Sequence, residues 1–427
     1  MRKRNNVLSV VIVLILCGLS TYAQNNNTSS PFSRFGLGEL NPYSYGRSSA
    51  MGGASLGSRH AVQINSANPA SYTAIDSLSF IFDFGIDGTF SNYKSNSGTR
   101  NTNDINFRYF SLTWPITKWL GAGMGLQPFS DMGYEVAFSD TIPGIGGTDQ
   151  SYYGEGSSSK AFFGTSVTPV KGLSIGANLN YIFGRLSKNR KYEFTDPTIF
   201  STTRTESTRL RDFTLTYGLQ YDLKLKKNQY LGLGVIFEKR SDFAVLYQAL
   251  EYKTIVVGSS VLSDKVDSVD QVESKHIMKM PSTIGVGLSY NQLNKLEINA
   301  DYYHAAWSKS TFPGKIDGLT SDLTRLSAGV EYIPDAFSIR SYFKRVKYRF
   351  GIHQESSYLT IKNHQIKETG ISAGLGLPLP KSKSTANFAV EFGKKGTTTD
   401  NLVQNNYTRF SLYLNFYDYW FIKRKFD

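Results

Sequence analysis

Hydrophobic and polar residues alternate with a period of two in fourteen short segments of the chain, spread from Leu78 to Phe416. In the last segment, residues 410–416, the even-numbered positions are Phe, Leu, Leu and Phe, and the odd-numbered positions between them are Ser, Tyr and Asn. Successive side chains of a β-strand point to opposite faces of the strand. Each segment therefore predicts a strand with one apolar face and one polar face, which suits a soluble sandwich as well as a membrane barrel.

The connections between the segments distinguish these two folds. Short turns, such as residues 115–118 and 169–172, alternate with long polar connections, such as residues 91–104 and 238–281. This alternation is typical of an outer-membrane barrel, in which the short turns face the periplasm. Each segment also has about the nine to eleven residues that a tilted strand needs to cross a bilayer. We therefore predict an all-β fold, a 14-stranded antiparallel transmembrane β-barrel over residues 78–416.

The amino-terminal residues predict a secretory signal peptide over residues 1–23. Arg2, Lys3 and Arg4 precede an apolar run over residues 7–16, and Thr21, Tyr22 and Ala23 precede the predicted cleavage site before Gln24. The apolar run is too short to span a bilayer as a helix. The single cysteine, Cys17, lies within this segment, so cleavage would leave a mature chain without disulfides or cysteine metal sites.

Residues 24–77 lack the two-residue alternation and are rich in Gly, Ser and Asn. A disordered periplasmic leader and a compact plug are the two alternatives. Apolar side chains such as Phe35, Tyr43, Met51 and Leu56 recur through the segment more often than in a solvated tail. Fourteen strands also enclose a lumen that the wall's own side chains do not fill. We predict a plug, or hatch, folded into the lumen.

Composition and charge narrow the class of partner. The chain contains 27 Tyr and 28 Phe, residues that are favoured where a membrane meets water. Its formal net charge is +13, which solvated loops and turns account for. Basic residues are not interleaved with a platform of stacking aromatics, so we predict no nucleic acid partner.

The five histidines and the glycine-rich segments are the parts of the sequence where a catalytic or metal-binding motif would be expected. The histidines show no paired metal-ligand spacing, and neither a Gly-x-Ser-x-Gly elbow nor a phosphate loop occurs. His304 lies beside Asp301 and Tyr303 but lacks a partnered nucleophile. The sequence therefore predicts a protein that is not an enzyme and has no cofactor and no metal site.

Two short motifs carry a resemblance to a known family. Gly52 and Gly53 within Ala-Met-Gly-Gly-Ala, followed by Asn68, Pro69 and Ala70 just ahead of the first strand, resemble the amino-terminal hatch of the FadL/TodX outer-membrane transporters of hydrophobic compounds. Residues 281–290 and 334–340 are similar to later signatures of that family. Residues 417–427 depart from it, because they extend beyond the last predicted strand.

The resemblance implies passive uptake of a hydrophobic molecule, such as a long-chain fatty acid, through the outer membrane of a Gram-negative bacterium. The ligand would be captured among the outer loops and released sideways through the wall when the hatch moves. Pro69 lacks a backbone donor and restricts Asn68, which suits a segment that rearranges. The alternative for Asn68 and Pro69 is a simple turn into the first strand.

Candidate ligand contacts follow from this implied route. Apolar candidates in the predicted outer loops are Phe129, Met132, Tyr134, Phe243, Leu246, Tyr247 and Leu250. They would equally serve as an aromatic girdle or a strand extension. Arg34, Arg47 and Arg59 in the hatch offer guanidinium groups to a carboxylate head group. Their alternative is pairing with luminal carboxylates such as Asp83, Asp87 or Glu331.

A non-transporting barrel is the main functional alternative. PorV-like barrels resemble the same family and dock or shuttle proteins within outer-membrane complexes. Candidate partner contacts in this chain are Trp420, Lys423, Arg424 and Lys425 of the predicted periplasmic tail. Outer-membrane lipid, a hydrophobic small molecule and a protein that binds this tail are therefore the expected partners.

Overall fold

A computed structural model describes residues 27–196, 198–257, 260–313 and 319–419 of the chain. The predicted signal peptide and the predicted partner contacts Trp420, Lys423, Arg424 and Lys425 lie outside these ranges. None of the helices in the described ranges is long and apolar enough to cross a membrane.

Fourteen antiparallel strands form the wall of a closed barrel. Each strand pairs with the next along the chain, and the last returns to pair with the first, from Gln404 opposite Lys94 to Tyr419 opposite Ser79. The 14-stranded antiparallel barrel predicted from the alternation is thereby confirmed. The strands are β1 (Ser79–Ser95), β2 (Gly98–Pro115), β3 (Leu120–Ile142), β4 (Gly146–Val170), β5 (Leu173–Phe194), β6 (Ser201–Lys226), β7 (Gln229–Glu238), β8 (Thr283–Gln292), β9 (Leu296–Ala305), β10 (Leu323–Tyr332), β11 (Lys347–Ile361), β12 (His364–Pro378), β13 (Thr385–Gly396) and β14 (Gln404–Tyr419).

The two faces of the wall differ as the alternation predicts. On β14, Phe410 and Phe416 face outward and are 49% and 42% exposed, whereas Tyr413 and Asn415 are buried on the luminal side. The outward belt continues around the barrel with exposed aromatic and aliphatic residues. An apolar outer belt over a polar interior is the arrangement of barrels that span a lipid bilayer.

The long polar connections are strand extensions rather than the loops expected from the sequence, except that a strand extension was already an alternative for the segment with Phe243, Leu246, Tyr247 and Leu250. Strands β1 and β2 continue to pair until Ser95 lies opposite Gly98, and β6 reaches 26 residues. Within residues 238–281, a further hairpin (Asp242–Val257 and Ser260–Lys279) pairs with β6. Beyond the bilayer both faces of a strand meet water or the lumen, so these segments keep their backbone pairing without the apolar alternation. We call this end of the barrel the extended side and the opposite end, with both barrel termini, the turn side.

Residues 27–78 form the plug and run through the lumen from the extended side to the turn side. The plug contains a two-residue strand (Glu39–Leu40) and three 3-10 helices (Pro31–Arg34, Gly46–Met51 and Pro69–Ala74). It packs directly on glycines of the wall. A Cβ atom added to Gly351 would overlap the backbone nitrogen of Gly52, so only glycine permits this approach.

Buried ion pairs attach the plug to the wall near the turn side. The Arg47 guanidinium contacts the carboxylates of Glu297 and Glu331, the latter at 3.2 Å, and donates a hydrogen bond to Ser58 at 3.0 Å. Arg349 of β11 reaches the same Glu331 at 2.6 Å. A buried charge is costly unless it is paired, so these contacts hold the plug at one position along the lumen.

We expect Arg47→Met to lower the free energy of unfolding by about 3 kcal/mol, because it leaves the buried carboxylates of Glu297 and Glu331 short of a cation. Urea unfolding of the detergent-solubilised barrel measures the change. Arg59→Met is the control, since its partner Asp222 is partly exposed and the pair should contribute about 1 kcal/mol or less. Equal losses in the two variants would contradict a special role for the Arg47 ion pairs.

Candidate lateral exit and luminal cavity

The wall of the barrel opens between β2 and β3. These strands pair only from Phe110 opposite Leu126 to Pro115 opposite Gly121, next to the turn side. Further toward the extended side, β2 continues along β1 and β3 continues along β4. The two strands thus diverge, and we call the space between them the lateral gap.

A proline and a bulge in β3 explain where the ladder ends. Pro128 has no N–H group to donate across the sheet. The register between β3 and β4 also shifts between Pro128 and Ser130. A bulge bends the strand that carries it and increases its local twist. Beyond Leu126, therefore, β3 turns away from β2 and follows β4.

The first part of the plug, residues 27–41, lies across the lateral gap, and we call it the strap. On the β3 side, Glu39 and Leu40 pair with Asp131 and Ser130, and the Asn41 N–H donates to the Phe129 carbonyl at 3.0 Å. The strap thus supplies backbone partners where β2 does not.

Side-chain hydrogen bonds extend this bridge to both edges of the gap. The Asp131 carboxylate of β3 accepts from the amides of Asn27 at 3.0 Å and Asn41 at 2.7 Å. The Asp104 carboxylate of β2 accepts from the Ser29 hydroxyl at 2.9 Å. Hydrogen bonds of this kind contribute about 0.5–1.5 kcal/mol each, so the strap is a weaker closure than a strand ladder.

A cavity of about 210 Å³ lies behind the strap. It is bordered by both edges of the lateral gap, through Arg108 of β2 and Phe129 of β3, by Tyr407 of β14 and, across the lumen, by Tyr303 of β9. Carboxylates outnumber cations in its lining, so the cavity favours a positive or neutral guest over an anion. The lining carboxylates are Glu39, Asp87, Asp104, Asp131, Glu238, Glu355, Glu368 and Glu391, and the lining cations are Arg108, Lys160, Arg325, Lys395 and Arg409.

Four of the predicted apolar ligand contacts meet in one cluster at the extended side. Phe129, Met132, Tyr134 and Phe243 pack there with residues from the plug and from most of the wall. Met132 and Phe243 are fully buried, so this cap cluster closes the lumen and is not an open capture surface. Leu246, Tyr247 and Leu250 lie half-buried on the added hairpin and are not members of the cluster. The cap cluster also includes Phe32, Leu37, Ile182, Leu186, Leu210, Val245, Met278, Met280, Trp307, Tyr358, Leu359 and Ile366.

The three plug arginines lie apart from one another and from the cavity lining. Arg34 lies 5.3 Å from the ring centroid of Tyr152, near the extended side. Arg47 is held by Glu297 and Glu331, and Arg59 pairs with Asp222 at 3.2 Å on the turn side. For Arg47, the alternative expected from the sequence is the one observed: it pairs with a luminal carboxylate, and Glu331 was one of the carboxylates expected.

Sequence reasoning missed all five cations that line the cavity, among them Arg108, Lys395 and Arg409. A signal was present for Arg108 and Arg409, because each occupies a luminal position of a predicted strand with an apolar neighbour facing outward. Arg108 contacts Asp87, Lys395 contacts Glu39, and Arg409 reaches Glu391 at 3.3 Å. All three are therefore engaged with carboxylates in the structure.

The motif residues of the predicted hatch are firmly attached to the wall. Gly52 ends the second 3-10 helix with φ of 66°, a left-handed conformation that favours glycine, and Gly53 follows with φ of 89°. Asn68 is fully buried, donates to the Leu56 carbonyl of the plug at 3.0 Å and to the Leu219 carbonyl of β6 at 3.3 Å, and accepts from the Ala70 N–H at 3.1 Å. Asn68 and Pro69 begin a 3-10 helix, so neither a turn into β1 nor a loose segment describes them.

The end of the plug is also tied down, on the turn side. Lys383, in the turn between β12 and β13, donates to the Asp76 carboxylate at 2.7 Å, and this hydrogen bond raises the pKa of the lysine. Tyr417 donates to the same carboxylate at 3.2 Å. The strap, by comparison, is held by backbone pairing at Glu39 and Leu40, by the side-chain hydrogen bonds to Asp104 and Asp131, and by the ion pair of Glu39 with Lys395.

One cluster of potential metal ligands was not visible from sequence spacing. His353, Glu368 and Glu391, on three adjacent strands, bring one ligand atom each to within 4.8 Å of one another. The sequence separations of these residues match no metal-binding motif, because the register between strands, and not the spacing along one strand, brings them together.

Comparisons with known proteins agree with this architecture. The family model described as BamG matches residues 1–427. No curated protein sequence matches the chain.

The chain covers nearly all of several solved structures at low identity, a likeness that shows the fold alone. The toluene transporter TodX of P. putida is 17% identical, with 89% of this chain and 99% of that chain covered and a TM-score of 0.60. The Ralstonia pickettii toluene transporter TbuX is 14% identical, with 88% of this chain and 98% of that chain covered and a TM-score of 0.56. A Pseudomonas aeruginosa FadL homologue is 10% identical, with 88% of this chain and 99% of that chain covered and a TM-score of 0.57.

We expect Asp131→Ala to loosen the strap, because the amides of Asn27 and Asn41 lose their shared acceptor. Hydrogen exchange of the amides in residues 27–41 should rise by about tenfold or more, which corresponds to the loss of one to two hydrogen bonds. Amides of residues 46–76 should be unchanged. Asp140→Ala, on the exposed part of β3, is the control, and an equal rise in that variant would contradict a latch at Asp131.

Proposed function

The chain belongs to the BamG family, and we propose that this member is a channel that takes up hydrophobic molecules and releases them sideways through its wall. The observation that carries the proposal is the lateral gap between β2 and β3, which the strap closes in place of a strand ladder. A wall that is open at one place, with a cavity behind it, provides a route into the membrane that avoids returning a lipid to water. The similar barrels TodX and TbuX are toluene transporters, which is compatible with this function.

The proposed location is the outer membrane of a Gram-negative bacterium, after cleavage of residues 1–23. The outward apolar belt and the polar interior support a bilayer environment. In the usual orientation of such barrels, the turn side faces the periplasm and the extended side faces the exterior.

The proposed route has an entrance, a resting place and an exit. A ligand enters through the cap cluster, where burial contributes about 0.8 kcal/mol per CH₂ group. It passes to the cavity behind the strap and leaves through the lateral gap when the strap lets go of Asp104 and Asp131. The rest of the plug stays in place, because Asn68 donates to the Leu219 carbonyl of β6 and Arg47 pairs with Glu331 of β10. The moving part in this proposal is therefore residues 27–41, and not the Gly-Gly and Asn-Pro-Ala motifs.

The cavity lining bears on the class of ligand. Eight carboxylates face five cations there, and the cations are already engaged with carboxylates in the case of Arg108, Lys395 and Arg409. An anionic head group such as that of a long-chain fatty acid would be repelled. We propose that the ligand is a hydrophobic molecule, or an outer-membrane lipid, whose polar end is neutral or cationic.

We expect a reversible lock on the strap to stop uptake. In a Ser29→Cys/Asp104→Cys variant the two thiols replace groups that are 2.9 Å apart, so oxidation should join the strap to β2. Uptake of fluorescent dodecylamine by cells that express the oxidised variant should fall to the level of an empty vector and return on reduction. In the reduced state, uptake of the matched fluorescent dodecanoate should be lower than that of the amine.

The control for the lock is the pair Ser139→Cys/Asp149→Cys, at the exposed end of the hairpin of β3 and β4, where the replaced groups are 2.6 Å apart. Its oxidation should leave uptake unchanged. Uptake that persists through a locked strap would overturn the lateral exit. If the wild-type chain takes up neither probe above the empty vector, transport itself is overturned.

A docking function is the second candidate, and an exposed surface on the turn side favours it. The return between β10 and β11 presents Phe337, Ile339 and Phe343, which are 78%, 98% and 74% exposed. Arg340 and Lys344 lie beside them. An apolar patch with a basic rim is typical of a protein or membrane contact. Because the cap cluster is also closely packed, a PorV-like barrel that docks a periplasmic protein is the alternative to a channel.

If docking is the function, Ile339→Asp and deletion of residues 420–427 should each reduce co-purification of a stable partner by about tenfold, as expected when an anchor is lost from an interface. Quantitative mass spectrometry of the affinity-purified chain measures the loss. Ile116→Asp, in the short turn between β2 and β3, is the control because it exposes a similar side chain on the same side. Full retention of every partner in both test variants would exclude docking through these surfaces.

A further inference from the structure

A group of potential metal ligands lies on the luminal wall, beside the cavity. His353 of β11, Glu368 of β12 and Glu391 of β13 come from three adjacent strands, and their ligand atoms lie within 4.8 Å of one another. Glu368 and Glu391 line the cavity, and His353 is buried behind them with 3% of its surface exposed. The group is therefore reachable from the lumen.

The His353 imidazole lacks the hydrogen bonds that a buried side chain needs. In the described part of the chain, neither of its ring nitrogens has a hydrogen-bond partner. The closest approach to a carboxylate is 3.6 Å, from Nε2 to Oε1 of Glu368. Gly370 lies against the ring, and a Cβ atom there would overlap Cε1, so the imidazole is held in this position. An orphaned buried polar group costs about 1–3 kcal/mol and calls for an explanation.

The two carboxylates compete for one hydroxyl proton. The Tyr407 oxygen lies 2.5 Å from Oε1 of Glu368 and 2.8 Å from Oε1 of Glu391. A tyrosine hydroxyl has a single proton and can donate fully to only one of them. Lys395 reaches Oε2 of Glu368 at 3.4 Å, on the side away from His353. Oε1 of Glu368, which faces the imidazole, accepts from Tyr407 and has a second lone pair that a cation can use.

We propose that His353, Glu368 and Glu391 bind a divalent transition metal ion, with Zn²⁺ as the test ion. Zinc binds nitrogen and carboxylate oxygen at about 2.0–2.2 Å, which in tetrahedral geometry sets the two ligand atoms about 3.4 Å apart. The observed 3.6 Å between His353 and Glu368 is close to this separation. An imidazole ligand favours zinc and its neighbours in the transition series over Ca²⁺ and Mg²⁺, which prefer oxygen alone.

The surrounding charges accommodate a divalent cation. The carboxylates of Glu39, Asp87, Glu368 and Glu391 form one connected network with only three cations, Arg108, Lys395 and Arg409, among the described residues. The network therefore carries an excess negative charge before any metal binds. Three protein ligands leave a fourth position that faces the cavity, where water or a polar group of a guest molecule completes the shell.

Zinc binding to the purified full-length chain tests the proposal without any transport assay. After treatment with a chelator, the detergent-solubilised protein is titrated calorimetrically with ZnCl₂, and bound zinc is counted by mass spectrometry after dialysis. We expect one zinc ion per chain. His353→Gln and Glu391→Gln should each weaken binding by about 100-fold, since loss of a ligand exceeds the tenfold or more caused by loss of a supporting contact. Loading with Co²⁺ should give visible absorption bands that His353→Gln abolishes.

The matched control is His364→Gln. His364 lies on β12 as Glu368 does, but it is exposed and its ring contacts Asp400 at 2.6 Å. Zinc affinity should be unchanged in this variant. Heat-dependent gel mobility of the barrel shows that each variant is folded. The proposal is overturned if the folded wild type binds no zinc, if binding survives both test substitutions, or if His364→Gln weakens it equally.

Discussion

The wall of this barrel must pair its own backbone groups, because hydrocarbon offers no other partner. Fourteen strands do so around almost the whole circumference. At the one place where β2 and β3 diverge, the strap takes over the pairing along β3, through Glu39, Leu40 and the N–H of Asn41. The plug is therefore part of the wall as well as a filling of the lumen. In the proposed lateral exit, movement of the strap would therefore also open the wall.

The lumen follows a second constraint, that a buried charge needs a partner. Near the turn side, Arg47, His60 and Arg349 contact the carboxylates of Glu297 and Glu331, and these contacts anchor the plug. Toward the cavity, carboxylates exceed cations, and His353 has no hydrogen bond in the described chain. The ion pairs that anchor the plug and the excess of carboxylates around the cavity thus lie at different levels of the same lumen.

The alternation along the chain was enough to predict the strands, their faces and their number, and the apolar content of residues 24–77 indicated the plug. It was wrong about the long polar connections, because strands that leave the bilayer lose their apolar alternation but keep their backbone pairing. Some of the predicted ligand contacts lie together in the structure and others do not. Phe129, Met132, Tyr134 and Phe243 do come together, yet as a closed cap cluster. Arg34 and Arg59 lie away from the cavity. The residues next to them in the sequence do not indicate which rings or carboxylates they contact in the fold.

The sequence by itself determined the barrel, since a period of two is a local property that each strand carries in its own residues. Pro128 is also visible in the sequence, but its consequence depends on which strand lies beside it. Only the tertiary structure decided that the strap joins Asp104 to Asp131, that the cavity behind it is rich in carboxylates, and that His353 faces Glu368 and Glu391. These features depend on the register between strands and on the path of the plug. Register and path are set by the closure of the whole barrel, and no short segment contains them.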